Sequence, residues 1–117
     1  MLKEIEKYIG EDIKLEVTLH NKWDKKLTVD VSASIIPHGG EAACFSTGLS
    51  GVPLDPCTEK TVELTLRTGG CSEGDHDLYI AVYDSDTHEL LGEELYERVI
   101  KLKTVPKEVE IVDYELD

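Results

Sequence analysis

Apolar and polar residues alternate along most of this chain, and a period of two predicts β-strands rather than helices. The clearest alternations cover 13–19, 27–35, 61–67 and 77–83. A longer segment, 90–103, also alternates but slips partway, which indicates a β-bulge. About seven short strands at this spacing are typical of an all-β, antiparallel sandwich of two sheets.

Turn-forming residues separate these segments. Asn21 and Asp24 lie in a tight connection between the first two strands, and Pro37 with Gly39 ends the second strand. The stretch 41–56 is the least regular part of the chain, because glycines and prolines interrupt it. We expect only a short strand there, near 44–47.

The length of 117 residues fits one domain with one core. The pattern divides the chain into a lead-in segment (1–12), the sandwich (13–103), and a last segment (104–117) that is either an extra strand or a linker to a following domain. Leu2, Ile5 and Ile9 in the lead-in are three and four residues apart, which predicts a helical turn or a frayed entry to the first strand.

The chain is strongly acidic, with a formal net charge of −13 and a pI near 4.6. Such a surface repels nucleic-acid phosphates and anionic lipids, so it argues against both as partners and leaves basic proteins and divalent cations. No apolar run approaches the ~20 residues that span a bilayer, so we expect no membrane insertion. The charged N-terminal residues include no apolar signal-peptide stretch, and localisation stays open.

The segment 15–31 (LEVTLHNKWDKKLTVDV) resembles the opening hairpin of immunoglobulin-like accessory domains. The segments 53–66 (PLDPCTEKTVELTL) and 73–82 (EGDHDLYIAV) resemble later strands of the same domains, notably bacterial and archaeal adhesion-related (CARDB-like) modules and the C-terminal domains of transglutaminases. The resemblance covers about ninety residues and rests on pattern rather than on a motif. It implies an immunoglobulin-like sandwich that spaces, docks or binds proteins without catalysis, and the region of Cys44 to Cys57 departs from it.

The chain contains three cysteines, and because this number is odd, their pairing has to be explained. Cys57 and Cys71 flank a strand that separates them by more than ~20 Å, whereas a disulfide needs Cα atoms within ~7 Å. Those two therefore do not pair, and Cys44 can pair with only one of them. The same distance argues against a zinc site built from all three thiolates, and we expect buried or free thiols.

Acidic residues gather in two predicted turns. Asp84, Asp86 and Glu89 form one group, which supplies the oxygen ligands that calcium prefers. Glu73, Asp75 and Asp77 form the other. One strand separates the two groups, so they lie at opposite ends of the sandwich and do not combine. Aspartate is also ordinary in hairpin turns, and calcium remains the alternative interpretation.

Three aromatic residues are candidates for partner binding. Trp23 lies in the first connection, where it either anchors a partner or folds back over the core. Tyr79 and Tyr83 lie opposite the inward face of their strand, so they form a platform if that face is exposed. His76 follows a predicted corner, and we expect it to hydrogen-bond locally there.

The sequence contains no phosphate-binding loop, nucleophile elbow or paired-histidine motif, so we predict no catalytic or cofactor-binding residues. A cysteine nucleophile would need a histidine, and no motif joins His38 or His76 to a cysteine. The predicted function is a non-enzymatic binding or spacer module for protein–protein association, with a protein partner or with neighbouring domains. A calcium- or metal-dependent binding domain is the first alternative, and a small enzyme using cysteine and histidine is the second.

Overall fold

The computed structural model describes residues 4–105, 112–113 and 115–116, and every regular element among them is a β-strand. The strands are β1 (Ile5–Tyr8), β2 (Asp12–His20), β3 (Leu27–Pro37), β4 (Phe45–Leu54), β5 (Glu59–Arg67), β6 (Gly74–Asp84) and β7 (Leu90–Lys103). The all-β fold class predicted from the alternation is confirmed.

The strands form two sheets. The larger sheet has the order β1-β7-β6-β3-β4, and the smaller one pairs β2 with β5. All pairs are antiparallel except β1 with β7, which run parallel. The inner faces of the two sheets pack together, as expected for a sandwich.

The core follows the predicted alternation closely. The inward residues of β3 are almost fully buried, and so are those of β5. They comprise Val29, Val31, Ala33 and Ile35 on β3, and Val62, Leu64 and Leu66 on β5.

The inner faces are less covered on the side of β2, β6 and β7. Leu15 and Val17 on β2 are only partly buried, although their partners on β5 are buried. Ile80 and Val82 on β6 are likewise partly buried. A sheet of two strands cannot cover a sheet of five, so the sandwich stays open along this side.

The expectation that β2 and β3 pair with each other as an opening hairpin is wrong. β2 pairs with β5 and β3 pairs with β4 and β6, so the connection 20–26 crosses from one sheet to the other. Sequence spacing alone does not distinguish a hairpin from a connection between sheets, since both need a short turn.

β4 is longer than predicted, because it continues through its glycines and Pro53. The register of β3 and β4 shifts between Val29 and Val31, and Gly51 adopts a φ of 68° at this irregularity. An irregular edge strand tolerates both glycine and proline. The interruption that the glycines and prolines of 41–56 predicted is therefore a bulge within one strand.

The lead-in forms β1 rather than a helical turn, and Ile5 pairs with Ile100 at its start. The predicted extra strand in 104–117 falls largely on residues outside the described ones. The predicted bulge in β7 is confirmed, since the register with β6 shifts between His76 and Leu78 and Arg98 adopts a φ of 55°. Within the described ranges, no helix has the length and apolar character needed to cross a bilayer.

Candidate functional site

Asn21 organises the connection that carries Trp23. Its side chain is 2% exposed, and its Nδ2 lies 2.9 Å from the carbonyl oxygen of Lys25 and 3.2 Å from those of Leu54 and Asp55. Its Oδ1 accepts the backbone N–H of Trp23 at 3.0 Å. One buried amide therefore holds both sides of the connection in a defined shape.

The Trp23 cleft opens beside this connection, at the end of the sandwich where β2 ends and β7 begins. It has a volume of about 380 Å³ and mostly apolar walls. Buried Leu19, Val29 and Leu54 form its interior, and Leu91 with Trp23 lies at its exposed rim. The Trp23 side chain is half-exposed (50%), so the structure supports the rim position rather than a cap over the core.

Basic residues lie at this rim on an otherwise acidic chain, and Lys22 lines the cleft. The connection contains Lys22, Lys25 and Lys26 against one aspartate, and the ammonium group of Lys25 lies 5.4 Å from the centre of the Trp23 ring. This distance is within the range of a cation–π interaction. The connection is also tied to the next turn, because the backbone N–H of Cys57 donates to the carbonyl oxygen of Trp23 at 3.1 Å.

Tyr79 and Tyr83 lie on the outer face of the five-stranded sheet, as the alternation predicts, and both are partly buried. Tyr79 pairs with Leu95 on β7 and Tyr83 with Leu90. Those two leucines are 51% and 44% exposed. Together the four residues form a surface that we call the tyrosine platform.

One tyrosine of this platform carries a strong polar contact. The Tyr79 hydroxyl donates to the carboxylate of Glu93 on the adjacent strand. This hydrogen bond, assisted by the negative charge of Glu93, raises the pKa of Tyr79 to about 12. The phenol of Tyr79 therefore keeps its proton, and this donor role, to a more alkaline pH than an ordinary tyrosine does.

The calcium candidates lie in the turn between β6 and β7. The Oδ1 atom of Asp84 accepts the backbone N–H groups of Asp86 (2.8 Å) and Thr87 (3.0 Å), and these bonds lower the pKa of Asp84. Asp86 and Glu89 are exposed. Their ligand atoms do not join Asp84 in a close group among the residues that the structure describes. This is turn chemistry, and calcium binding stays a prediction.

Asp77, from the other acidic group, is a buried anchor that the sequence did not single out. Its Oδ1 accepts the backbone N–H of Arg98 and lies 2.9 Å from Nδ1 of His38. Burial by itself would raise the pKa of Asp77, but these two partners outweigh it and lower the pKa. Because Arg98 sits at the bulge of β7, the carboxylate holds that irregular backbone in place.

The expectation of buried or free thiols is wrong for two of the three cysteines. Cys44 and Cys71 form a disulfide with a Cα–Cα distance of 5.1 Å, while Cys57 is free and exposed. The prediction that Cys57 and Cys71 do not pair is consistent with this arrangement. Cys44 precedes β4 and Cys71 follows β5, so the crossing of strands between sheets brings them together.

His76 lies next to this disulfide. It is 1% exposed, and its Nδ1 lies 2.9 Å from the carbonyl oxygen of Gly74, which confirms the expected local hydrogen bond. One of its ring nitrogens and the sulfur atoms of Cys44 and Cys71 lie within 4.8 Å of one another. In the described part of the chain, no other group of histidine, cysteine and acidic residues is comparably close.

Sequence reasoning missed this grouping because its three members come from different strands and turns. The only available signal was that Cys44 had one geometrically allowed partner at most. Comparison with known proteins adds no assignment, since no family model and no curated protein matches the chain.

Proposed function

We propose that this chain is a non-enzymatic, immunoglobulin-like module that associates with a protein partner. In this proposal the Trp23 cleft receives an apolar side chain from an extended segment of that partner. The observation that carries it is the half-exposed tryptophan at the rim of an apolar cleft, held there by buried Asn21. Rigidly held aromatic residues beside apolar pockets are typical binding anchors.

A free strand edge next to the cleft supports an extended ligand. β1 pairs only with residues 100–103 of β7, so the edge of 90–97 has no strand beside it in the described structure. A partner strand along this edge would pass Leu91 and Gly92, which also line the cleft. Backbone hydrogen bonds to the edge would supply affinity, and the cleft would select the side chain.

The lysines of the connection favour a partner segment that carries carboxylates beside its apolar residue. Lys22 lines the cleft and Lys25 lies beside the Trp23 ring, whereas the protein as a whole is acidic. Local complementarity of this kind acts mainly on association rate and register. The tyrosine platform is a second surface for the same function, because exposed leucines flank its phenols.

The test uses random nine-residue peptides displayed on phage and selected against the immobilised protein. Trp23 is the single tryptophan, so its fluorescence reports occupancy of the cleft directly. Selected peptides should shift its emission to shorter wavelength, and Trp23→Ala should weaken their binding roughly 30-fold, as expected for an anchor worth about 2 kcal/mol.

Tyr8→Ala is the matched control, since Tyr8 is an exposed aromatic residue paired at the opposite end of β7. It should leave binding unchanged. Failure to select any peptide would contradict the association proposal. Selected peptides that lose binding with Tyr83→Ala but not with Trp23→Ala would move the site to the tyrosine platform.

A further inference from the structure

We propose that Cys44, Cys71 and His76 form a metal site for a thiophilic ion such as Zn²⁺ when the disulfide is reduced. The three residues already bring two sulfur atoms and a ring nitrogen within 4.8 Å of one another. Two thiolates and an imidazole are ligands that zinc prefers. This inference concerns a different part of the molecule from the Trp23 cleft and does not depend on it.

The tautomer of His76 leaves a ligand atom free. The Gly74 carbonyl oxygen can only accept a hydrogen bond, so Nδ1 of His76 carries the proton and donates it. In the neutral imidazole, Nε2 then bears a lone pair. It is buried and has no hydrogen-bond partner in the described structure. A backbone carbonyl that holds the other ring nitrogen is the usual support of a metal-binding histidine.

Each cysteine has its own backbone anchor. The N–H of Cys44 donates to the carbonyl oxygen of Ile35 at 2.8 Å, and that of Cys71 donates to the carbonyl oxygen of Thr68 at 3.0 Å. After reduction, the sulfur atoms have to separate to the ~3.8 Å that two Zn–S bonds of ~2.3 Å span in a tetrahedral site. Cys44 is partly exposed, which provides a route for the ion and for a water ligand.

The chemistry balances in two steps. A dithiol gives two electrons and two protons to the disulfide, so the S–S bond breaks, two thiols form, and the dithiol becomes a disulfide itself. Zn²⁺ then displaces one proton from each thiol and accepts the Nε2 lone pair of His76. Since Cys44 borders the larger sheet and Cys71 the smaller one, the ion replaces one link between the sheets with another.

Metal titration of the reduced protein tests the site. A water-soluble phosphine reduces the disulfide under an oxygen-free atmosphere. The two thiols form as the phosphine takes oxygen from water and becomes a phosphine oxide. Co²⁺ is then added, and Zn²⁺ is added afterwards to displace it. We expect one equivalent of metal, a thiolate-to-cobalt absorption band, and a zinc dissociation constant on the order of 10⁻⁷ M or tighter. The oxidised protein should show no such band, because its sulfur atoms are not thiolates.

Cys57→Ser is the matched control, since it removes the free cysteine outside the site, and it should bind metal like the unmodified protein. Cys71→Ser and His76→Gln should each weaken binding by roughly 100-fold or more. The fold of His76→Gln is checked first in the oxidised state, where the disulfide still forms.

Three results would overturn the proposal. They are the absence of metal uptake by the reduced protein, equal affinity of His76→Gln, and loss of the cobalt band in Cys57→Ser. If reduction by itself melts the sheets, zinc should restore the circular dichroism of the folded protein, and failure to restore it would also overturn the site.

Discussion

At the scale of single residues, a few buried polar side chains define the irregular parts of the structure. Asn21 holds the connection between sheets, Asp77 holds the bulge of β7, and His76 holds the start of β6. Each side chain hydrogen-bonds backbone groups at a turn, a bulge or a strand end. Their removal therefore deprives those carbonyl and N–H groups of a hydrogen-bond partner.

We predict that Asn21→Ala lowers the free energy of unfolding by about 2–4 kcal/mol, because a buried amide with four backbone contacts is lost. Urea unfolding followed by circular dichroism measures the change. Lys22→Ala, at the exposed neighbouring position, should stay within about 0.5 kcal/mol of the unmodified protein. Equal effects of the two substitutions would contradict the role given to Asn21.

We predict that Asp77 makes the free energy of unfolding depend on pH in the acidic range, below the usual pKa of an aspartate. Its pKa is lowered in the folded protein, so on acidification the unfolded chain takes up the proton first. The stabilisation is present above the unfolded pKa and is lost as the pH falls through the lower folded pKa. Unfolding in urea between pH 2.5 and 6 should show a smaller loss of stability in Asp77→Asn than in the unmodified protein. Asp75→Asn, at an exposed neighbouring site, should keep the original slope.

At the scale of elements, the strands differ in how well their neighbours cover them. β3 lies between β4 and β6 and carries the best-buried side chains, while β2 and the first half of β7 border the open side. The cleft lies at these less covered strands, and exposed Leu90, Leu91 and Leu95 belong to β7. Binding surfaces are expected where the core comes to the surface and a strand edge is free.

The close approach of β4 to β3 gives a test at this scale. A Cβ atom added to Gly48 would lie 2.8 Å from the backbone oxygen of Val31, which cannot move without distorting the ladder. Gly48→Ala should therefore destabilise the protein by about 1–3 kcal/mol in urea unfolding. Gly92→Ala is the control within a strand, because its Cβ atom would meet no atom of the described residues within 4 Å. Gly92→Ala should have a neutral or slightly stabilising effect. A greater loss of stability in Gly92→Ala than in Gly48→Ala would refute the argument.

At the scale of the whole molecule, the crossing of the chain between the two sheets determines which side chains come into contact. The fold brings Cys44 to Cys71 and His76, and the disulfide closes a loop across 27 residues of sequence. A covalent loop of that length stabilises a fold by about 3–4 kcal/mol in the chain-entropy picture. The same topology keeps the acidic groups at the two ends of β6 apart.

The alternative that the protein binds calcium can be tested on the unmodified protein. Asp84 already uses one carboxylate oxygen for two backbone N–H groups, and its acidic neighbours are exposed. We therefore expect the thermal midpoint to be the same in millimolar calcium and in excess chelator, after correction for ionic strength. A calcium-dependent rise that Asp86→Asn abolishes would establish the alternative, since a ligand that binds only the folded state raises its stability.

The alternation of side chains specified β2, β3, β5, β6 and β7, because a period of two records which residues face the core. It did not specify β1, which was expected as a helical turn or a frayed entry, or the full length of β4. The sequence also placed Tyr79 and Tyr83 opposite the inward face, and it separated Cys57 from Cys71, since both depend on distances along one strand. The pairing of the strands became known only from the three-dimensional fold, and with it the Cys44–Cys71 disulfide, the nearby ring of His76 and the cleft beside Trp23. The reason is that pairing joins residues far apart in sequence, and alternation along one strand does not specify its neighbour.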